Sequence, residues 1–281
     1  MAGSGTESEQ TLQSLLREGY LRIPASGPIR DSVQAVFHGG ANFFKLSTYE
    51  KMLSRLPKDM GYRPYGVEYS YSADQPDQIE SFSVSHRISV GVSELRLEAA
   101  RILHREMHCL FDFLEPLAEQ FVGLLAAALV PSLDTRKYEG ALRPWSLLQL
   151  NCAVRSEMES DYVSESHEDG CLITVMSNTG PGLEVRRPDG EFVPVELSQE
   201  ELLIIPGEIL SLLSGGTISP TYHRVRAIDR DWRRMALLFF GDLDPRLCVP
   251  WISSEINAGV DIGQRVLKSA KRFGLDEWEM D

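Results

Sequence analysis

The sequence predicts a mainly β fold with flanking helices, and three observations carry that expectation. From about residue 143 onward, short β-like runs follow one another with turn signals between them. Ahead of them lies a stretch governed by helical periodicity, and the chain returns to helical periodicity after residue 250. Several short strands in succession suit a sandwich, jelly roll or barrel. At 281 residues the chain can bury one large core or two small ones.

Taken in order, the Gly/Ser/Glu-rich start, residues 1–10, reads as a mobile leader with no apolar stretch of signal-peptide length. T-L-Q-S-L-L-R-E-G (11–19) is an amphipathic helix closed by glycine. Y-L-R-I-P (20–24) is a brief strand, and residues 28–56 are helical, with Val33, Val36 and Phe37 on one face. The aromatic, turn-rich segment 61–78 is expected to be loop. Residues 93–130 give the strongest helical pattern, which Pro116 should kink or divide. His104 and His108 share a face of that helix. With no third ligand evident nearby, they read as solvated or capping side chains.

The β-like runs are 147–154, 171–176, 183–187, 192–197, 201–205, 222–228 and 235–240. P-D-G between two of them marks a hairpin, because aspartate and glycine supply the turn conformations it needs. Residues 256–273 are expected to be helical. The whole is one domain over 11–281: a mostly helical 11–142, a β core over 143–250 and a helical tail over 251–281.

Composition narrows the function. A net charge of −13 argues against a broad grip on nucleic acid phosphates. No apolar run approaches the roughly 20 residues of a membrane span. The four cysteines, at 109, 152, 171 and 248, include no C-x-x-C pair, so neither a zinc knuckle nor a dithiol motif is indicated. The expected setting is cytoplasmic.

The chemistry gathers around S-H-E-D-G-C-L-I-T-V-M (166–176). In an extended chain residues i and i+2 point to one side, so His167 and Asp169 can converge at the entrance to a buried strand. Glu168 between them should point away. Of six histidines, His223 alone sits at the start of a late β run. Two histidines and one carboxylate on a β scaffold form a facial triad that leaves metal positions open, an arrangement suited to non-haem Fe(II). Zinc hydrolases use similar ligands.

These residues resemble the Fe(II)/2-oxoglutarate-dependent dioxygenases, isopenicillin N synthase-like branch. H-E-D-G-C-L-I-T-V-M resembles the family's H-x-D and buried strand, and G-L-E-V-R-R-P-D-G-E-F-V-P-V its following hairpin. L-L-I-I-P-G-E-I-L-S-L-L-S-G-G with Y-H-R-V is similar to the approach to the distal histidine, and R-M-A-L-L-F-F to the strand after it. G-Y-L-R-I-P, F-F-K-L-S-T-Y-E-K and G-Y-R-P-Y-G-V-E resemble its N-terminal region, so the likeness covers roughly residues 12–250. It implies a double-stranded β-helix (jelly roll) and an oxygenase using Fe(II), 2-oxoglutarate and O2 on a small organic substrate, by hydroxylation, desaturation or oxidative cyclisation, in natural-product metabolism. It implies His167, Asp169 and His223 as iron ligands and Arg234, with Arg233 as competitor, as the anchor for the 2-oxoglutarate carboxylate. A guanidinium suits that role because its planar fork holds a carboxylate bidentately and does not titrate.

Two departures stand out. Ala236 replaces the family's serine, and Cys152 stands where its tyrosine follows asparagine. Both favour an Fe(II) oxidase that needs no 2-oxoglutarate; a non-catalytic jelly-roll binding module is a separate alternative. Arg155, Arg186 and Arg187 receive no role. Substrate contacts are expected from the 61–92 loop and the C-terminal helix.

Overall fold

The computed structural model describes residues 7–70, 72, 74–87, 92–154, 160–228 and 233–272. Its first part contains α1 (Glu7–Glu18), β1 (Leu21–Pro24), α2 (Gly27–Phe43), α3 (Thr48–Met52), β2 (Gly61–Arg63), β3 (Glu80–Val84) and α4 (Glu98–Leu129). The β region follows with β4 (Leu147–Val154), β5 (Tyr162–His167), β6 (Ile173–Asn178), β7 (Leu183–Arg186), β8 (Phe192–Pro194) and β9 (Glu201–Pro206). It ends with α5 (Glu208–Leu213), β10 (His223–Arg226), β11 (Arg233–Gly241) and α6 (Ile262–Arg272).

The strands form two sheets. The larger has the order β1-β9-β6-β11-β4-β3-β2 and the smaller β5-β10-β7-β8, with antiparallel pairing in both. Side-chain alternation sets what each face of the larger sheet meets. On β4, Leu148, Leu150 and Cys152 join the core shared with the helices, while Ala153 packs toward the smaller sheet. On β9, Leu202 and Ile204 take the helical side, and Leu203 and Ile205 the inner one. Helices α1, α2 and α4 cover the outer face through Leu15, Val36, Leu103 and Phe111, the last edge-on to Phe239 of β11 at 5.0 Å. The inner face, closed over by the four-stranded sheet, encloses the cavity. This is the expected mainly β jelly roll with flanking helices.

Several elements depart from expectation. The first helix starts at Glu7, not at residue 11; Glu7 and Glu9 in its first turn and Arg17 in its last complement the helix dipole. Residues 1–6 of the expected leader lie outside the described residues. Helix α4 runs through Pro116 undivided, because Leu110, Phe111 and Leu114 before it and Ala118, Phe121 and Val122 after it are all buried. Their burial outweighs the lost backbone bond. Besides the expected β1, the mostly helical region 11–142 gives two further strands, β2 and β3, to the large sheet, β2 falling in the expected loop. In the carboxy-terminal segment 256–273, helix begins only at Ile262.

His104 and His108 are not solvated. The His108 ring lies 4.4 Å from that of His104 and 4.9 Å from that of His86, which in turn meets Phe111 at 4.5 Å. Burial first, then the neighbouring His104 and His86, push His108 down to about 4. Burial lowers His104 and His86 as well.

The sign of the consequence follows from linkage. Between its ordinary value of 6.5 and about 4, the unfolded chain takes up a proton at His108 that the folded chain does not. Stability contributed by neutral His108 is therefore lost as pH falls through that window. Urea midpoints measured across it should fall less steeply for His108→Gln than for the parent protein. The difference between the two isolates His108 from Asp77 and Glu115, whose raised values act in the opposite sense.

Candidate metal centre and its cavity

His167 is the last residue of β5 and His223 the first of β10, and the two are paired directly across the strands. Their rings stand 4.3 Å apart at 54°. Asp169 arrives from the β5–β6 connection, with Oδ1 lying 3.8 Å from His167 Nε2 and 3.9 Å from His223 Nε2. All three donor atoms fall within 4.8 Å of one another, the one such cluster among the described residues. The expected strand entrance is thus a strand exit: β6 begins at Ile173, and Asp169 reaches the cluster through a bend.

That bend is held by main chain. The amide of Gly207 donates to the Leu172 carbonyl (3.0 Å), Glu208 to Asp169 (2.8 Å) and Ile209 to Cys171 (3.1 Å). The Leu172 amide donates to Asp242 Oδ1 at 3.0 Å. The approach demands glycine at 207, where a Cβ would sit 2.1 Å from the Cys171 carbonyl oxygen and 2.8 Å from that of Asp169.

Each donor is also oriented from behind. His167 Nδ1 faces the Glu165 carbonyl at 2.7 Å and His223 Nδ1 the Thr221 carbonyl at 3.2 Å. A carbonyl only accepts, so both Nδ1 atoms carry the proton and both Nε2 lone pairs face the cluster. Burial, and then His223, lower the pKa of His167, favouring the neutral ring a metal requires. Thr174 Oγ1 donates to Asp169 Oδ2, which leaves Oδ1 turned to the histidines. Glu168 takes no part in the cluster, and Tyr222 donates its hydroxyl to it. The donor set fits a divalent transition metal with open coordination positions.

Arg234 lines the same cavity and is 6% exposed, whereas Arg233 is exposed. Its Nε donates to the Gly180 carbonyl at 3.3 Å. With the Asn178 amide nitrogen turned to that same carbonyl (2.7 Å), the Asn178 oxygen accepts from Arg234 Nη2 at 3.2 Å. Burial pushes the guanidinium down to about 10, still cationic at neutral pH. Among the described residues no carboxylate pairs with it.

The side chains around Arg234 correct one sequence expectation. Ala236, two residues along β11, shares the cavity face, as expected of a missing hydroxyl. Cys152 does not: it pairs with Met235 and packs on the helical side. The β4 residue opposite Arg234 is Ala153, which lines the cavity. Strand parity decides this, since Gln149, Asn151 and Ala153 all face inward.

The remaining walls come from the two segments expected to meet substrate. Arg63, Glu68 and Asp77 enter from the 61–79 stretch, and Arg265, Lys268 and Ser269 from α6. Glu68 is bound by Ser81, by Gln149 Nε2 at 2.8 Å and by Arg63 at 3.6 Å. Arg186 and Arg187 do not line the cavity, and Arg155 lies outside the described residues. Thr174, Asn178, Gln149, Glu68 and Asp77 are site residues that sequence reasoning misses. Only Thr174, an inward position on a strand just after H-x-D, carries a signal that could have found it.

Residues 145–242 match the 2OG-Fe(II) oxygenase superfamily. Over 89 residues the chain is 29% identical to the Arabidopsis thaliana 2-oxoglutarate-dependent dioxygenase AOP3, a match spanning 31% of this chain and 22% of that protein. The structure of a full-length Neurospora crassa protein in complex with alpha-KG superposes with a TM-score of 0.76 at 19% identity, over 95% of this chain and 93% of that one. A 2OG-Fe(II) oxygenase family protein from Caulobacter crescentus gives 0.70 at 21%, over 86% of each chain. The rice dioxygenase for auxin oxidation gives 0.66 at 20%, over 85% of this chain and 79% of that one. Among the described residues no helix is long and apolar enough to cross a membrane.

The support behind Asp169 makes a direct prediction. Thr174→Val, which keeps the shape and removes the donor, should weaken divalent-metal binding about tenfold to a hundredfold. The urea midpoint should stay close to that of the parent protein. Gly207→Ala should weaken metal binding and also lower the midpoint, because it drives a methyl into main chain. Paired metal titrations and unfolding curves check both.

Proposed function

With residues 145–242 forming a 2OG-Fe(II) oxygenase superfamily domain, we propose that this protein is a non-haem Fe(II)- and 2-oxoglutarate-dependent oxygenase acting on a small organic substrate. The observation that carries the reading is the juxtaposition, in one cavity, of a three-donor centre and a buried guanidinium that pairs with no carboxylate among the described residues. His167, Asp169 and His223 would hold Fe(II), and Arg234 the distal carboxylate of 2-oxoglutarate. When bound, iron, 2-oxoglutarate and O2 supply oxidation of a substrate C–H bond coupled to release of succinate and CO2.

The chain's own residues prepare that site. Glu165, Thr221 and Thr174 fix the donors, so little reorganisation accompanies metal binding. Asn178 and Gly180 hold the guanidinium from one side and leave its remaining N–H groups for a carboxylate.

A small substrate is supported by the neighbours, since the Neurospora crassa protein has also been solved with alpha-KG and thymine and with alpha-KG and 5-formyluracil. Hydroxylation, desaturation or oxidative cyclisation of a specialised metabolite is the outcome we assign. Four free cysteines, three of them buried, support a reducing, cytoplasmic setting.

Anaerobic titration tests the reading. Fe(II) and 2-oxoglutarate together should produce a visible metal-to-ligand absorption band that neither gives alone, and air should then yield succinate. Arg234→Met should raise the 2-oxoglutarate needed for half-saturation about tenfold or more while Fe(II) binding persists. Oxidation of substrate without any requirement for 2-oxoglutarate would assign the oxidase alternative that Ala236 favours. Protein that takes up no iron would be the binding module.

A further inference from the structure

Two acidic side chains from the same connection face the cavity, and they differ in what surrounds them. Glu68 is matched by Arg63, Ser81 and Gln149. Asp77 is 8% exposed and, among the described residues, accepts only from Ser70, through the hydroxyl (2.5 Å) and the backbone N–H. Among those residues no lysine or arginine pairs with it. Its electrostatic neighbours are His167, which belongs to the metal centre, and Glu68, a like charge.

Asp77 is nevertheless held firmly in place. Its own amide donates to the Glu68 carbonyl at 2.8 Å, and the next residue, Gln78, donates to Val163 of β5 at 2.7 Å. The side chain is therefore presented to the cavity by a backbone tied on both sides. Ile79, Val163, Met176, Leu183 and Val225 line that same cavity with apolar surface.

A buried carboxylate without a counter-ion is costly, and a cation brought to it recovers much of that cost. Three other buried acids meet a cation, Lys51 standing 2.5 Å from Glu80, Arg143 2.6 Å from Glu115 and Arg63 3.6 Å from Glu68, while Asp242, which does not line the cavity, accepts from the Leu172 amide instead. We infer that the substrate supplies the cation here, so that the cavity takes an apolar amine whose protonated nitrogen binds Asp77. An ammonium there makes a charge-assisted hydrogen bond in a low-dielectric wall, and the hydrocarbon body fills the space between the sheets. Burial, which pushes the Asp77 carboxyl up to about 6, reflects the same missing partner. A bound cation would bring it down again.

This inference rests on reading the cavity as a substrate site, and its test separates the two. Tryptamine, phenethylamine and related primary and secondary amines are each compared with their N-acetyl counterparts by saturation-transfer NMR, anaerobically, with and without Fe(II) and 2-oxoglutarate. In the parent protein amines should bind about tenfold to a hundredfold more tightly than their acetylated forms. In Asp77→Asn, whose amide still pairs with the Ser70 hydroxyl, that ratio should collapse toward one. The ratio in the parent protein stands by itself should the variant fold poorly. A panel in which no amine binds, or in which amine and amide bind alike, overturns the inference. If the absorption band forms while amines show no preference, the oxygenase reading survives alone. Amine selectivity without the band leaves the cation site and removes the oxygenase reading.

Discussion

The cross-strand pairing that seats His223 opposite His167 is the contact on which the rest of the cavity depends. It joins β10 to β5 in the smaller sheet, and the register shifts immediately beyond it, between His223 and Val225. A slip of one residue in that pairing would turn one of the two histidines away from the cavity, because side chains alternate along a strand. With the pairing in place, their rings approach to 4.3 Å and their Nδ1 atoms meet carbonyls of their own strands' ends. Asp169 needs no strand of its own. The amides at the start of α5 fix its connection, and Gly207 allows those amides close enough to do so.

Buried charge gives the cavity its chemical character. Among the described residues three buried acids meet a lysine or arginine: Lys51 with Glu80, Arg63 with Glu68, Arg143 with Glu115. Of the buried charged groups lining the cavity, the cation Arg234 and the acid Asp77 pair with no oppositely charged side chain among the described residues. The first calls for a carboxylate and the second for a cation, so one enclosed space carries two uncompensated charges of opposite sign beside a metal-ligand cluster. Their neighbours differ as well. Arg234 is braced by the polar Asn178 and the Gly180 carbonyl, and Asp77 by the Ser70 hydroxyl.

The parts of this architecture visible in the sequence are those where one physical signal dominates. A run such as E-L-L-I-I (201–205) is apolar on both faces and reads as a buried strand at sight. The pair H-x-D and the single late-strand histidine are rare enough to be joined without a structure. β3 is hidden because its inward face is Ser81 and Ser83 and its outward face Phe82 and Val84, an alternation too short and polar to register beside the preceding turns. α5 is hidden because E-I-L-S-L-L follows a strand and is buried almost throughout, leaving no amphipathic stripe. The packing of His86 onto His108 joins residues far apart along the chain, a tertiary fact that helix spacing cannot contain.

Parity explains why the reading of Cys152 failed, and it sharpens the chemistry near Arg234. A motif read as a string places Cys152 beside the anchor, but a strand offers only alternate residues to each side. Cys152 therefore belongs to the helical core, and Ala153 and Ala236 stand beside the guanidinium. Both neighbours are methyl groups, so neither can donate to a carboxylate or steer its oxygens. Orientation of a bound carboxylate falls to the guanidinium plane itself, and that plane is set by Asn178 and Gly180 on the adjoining strand end. The geometry of the guanidinium is thus fixed through an amide and a carbonyl behind it, in place of hydroxyls alongside.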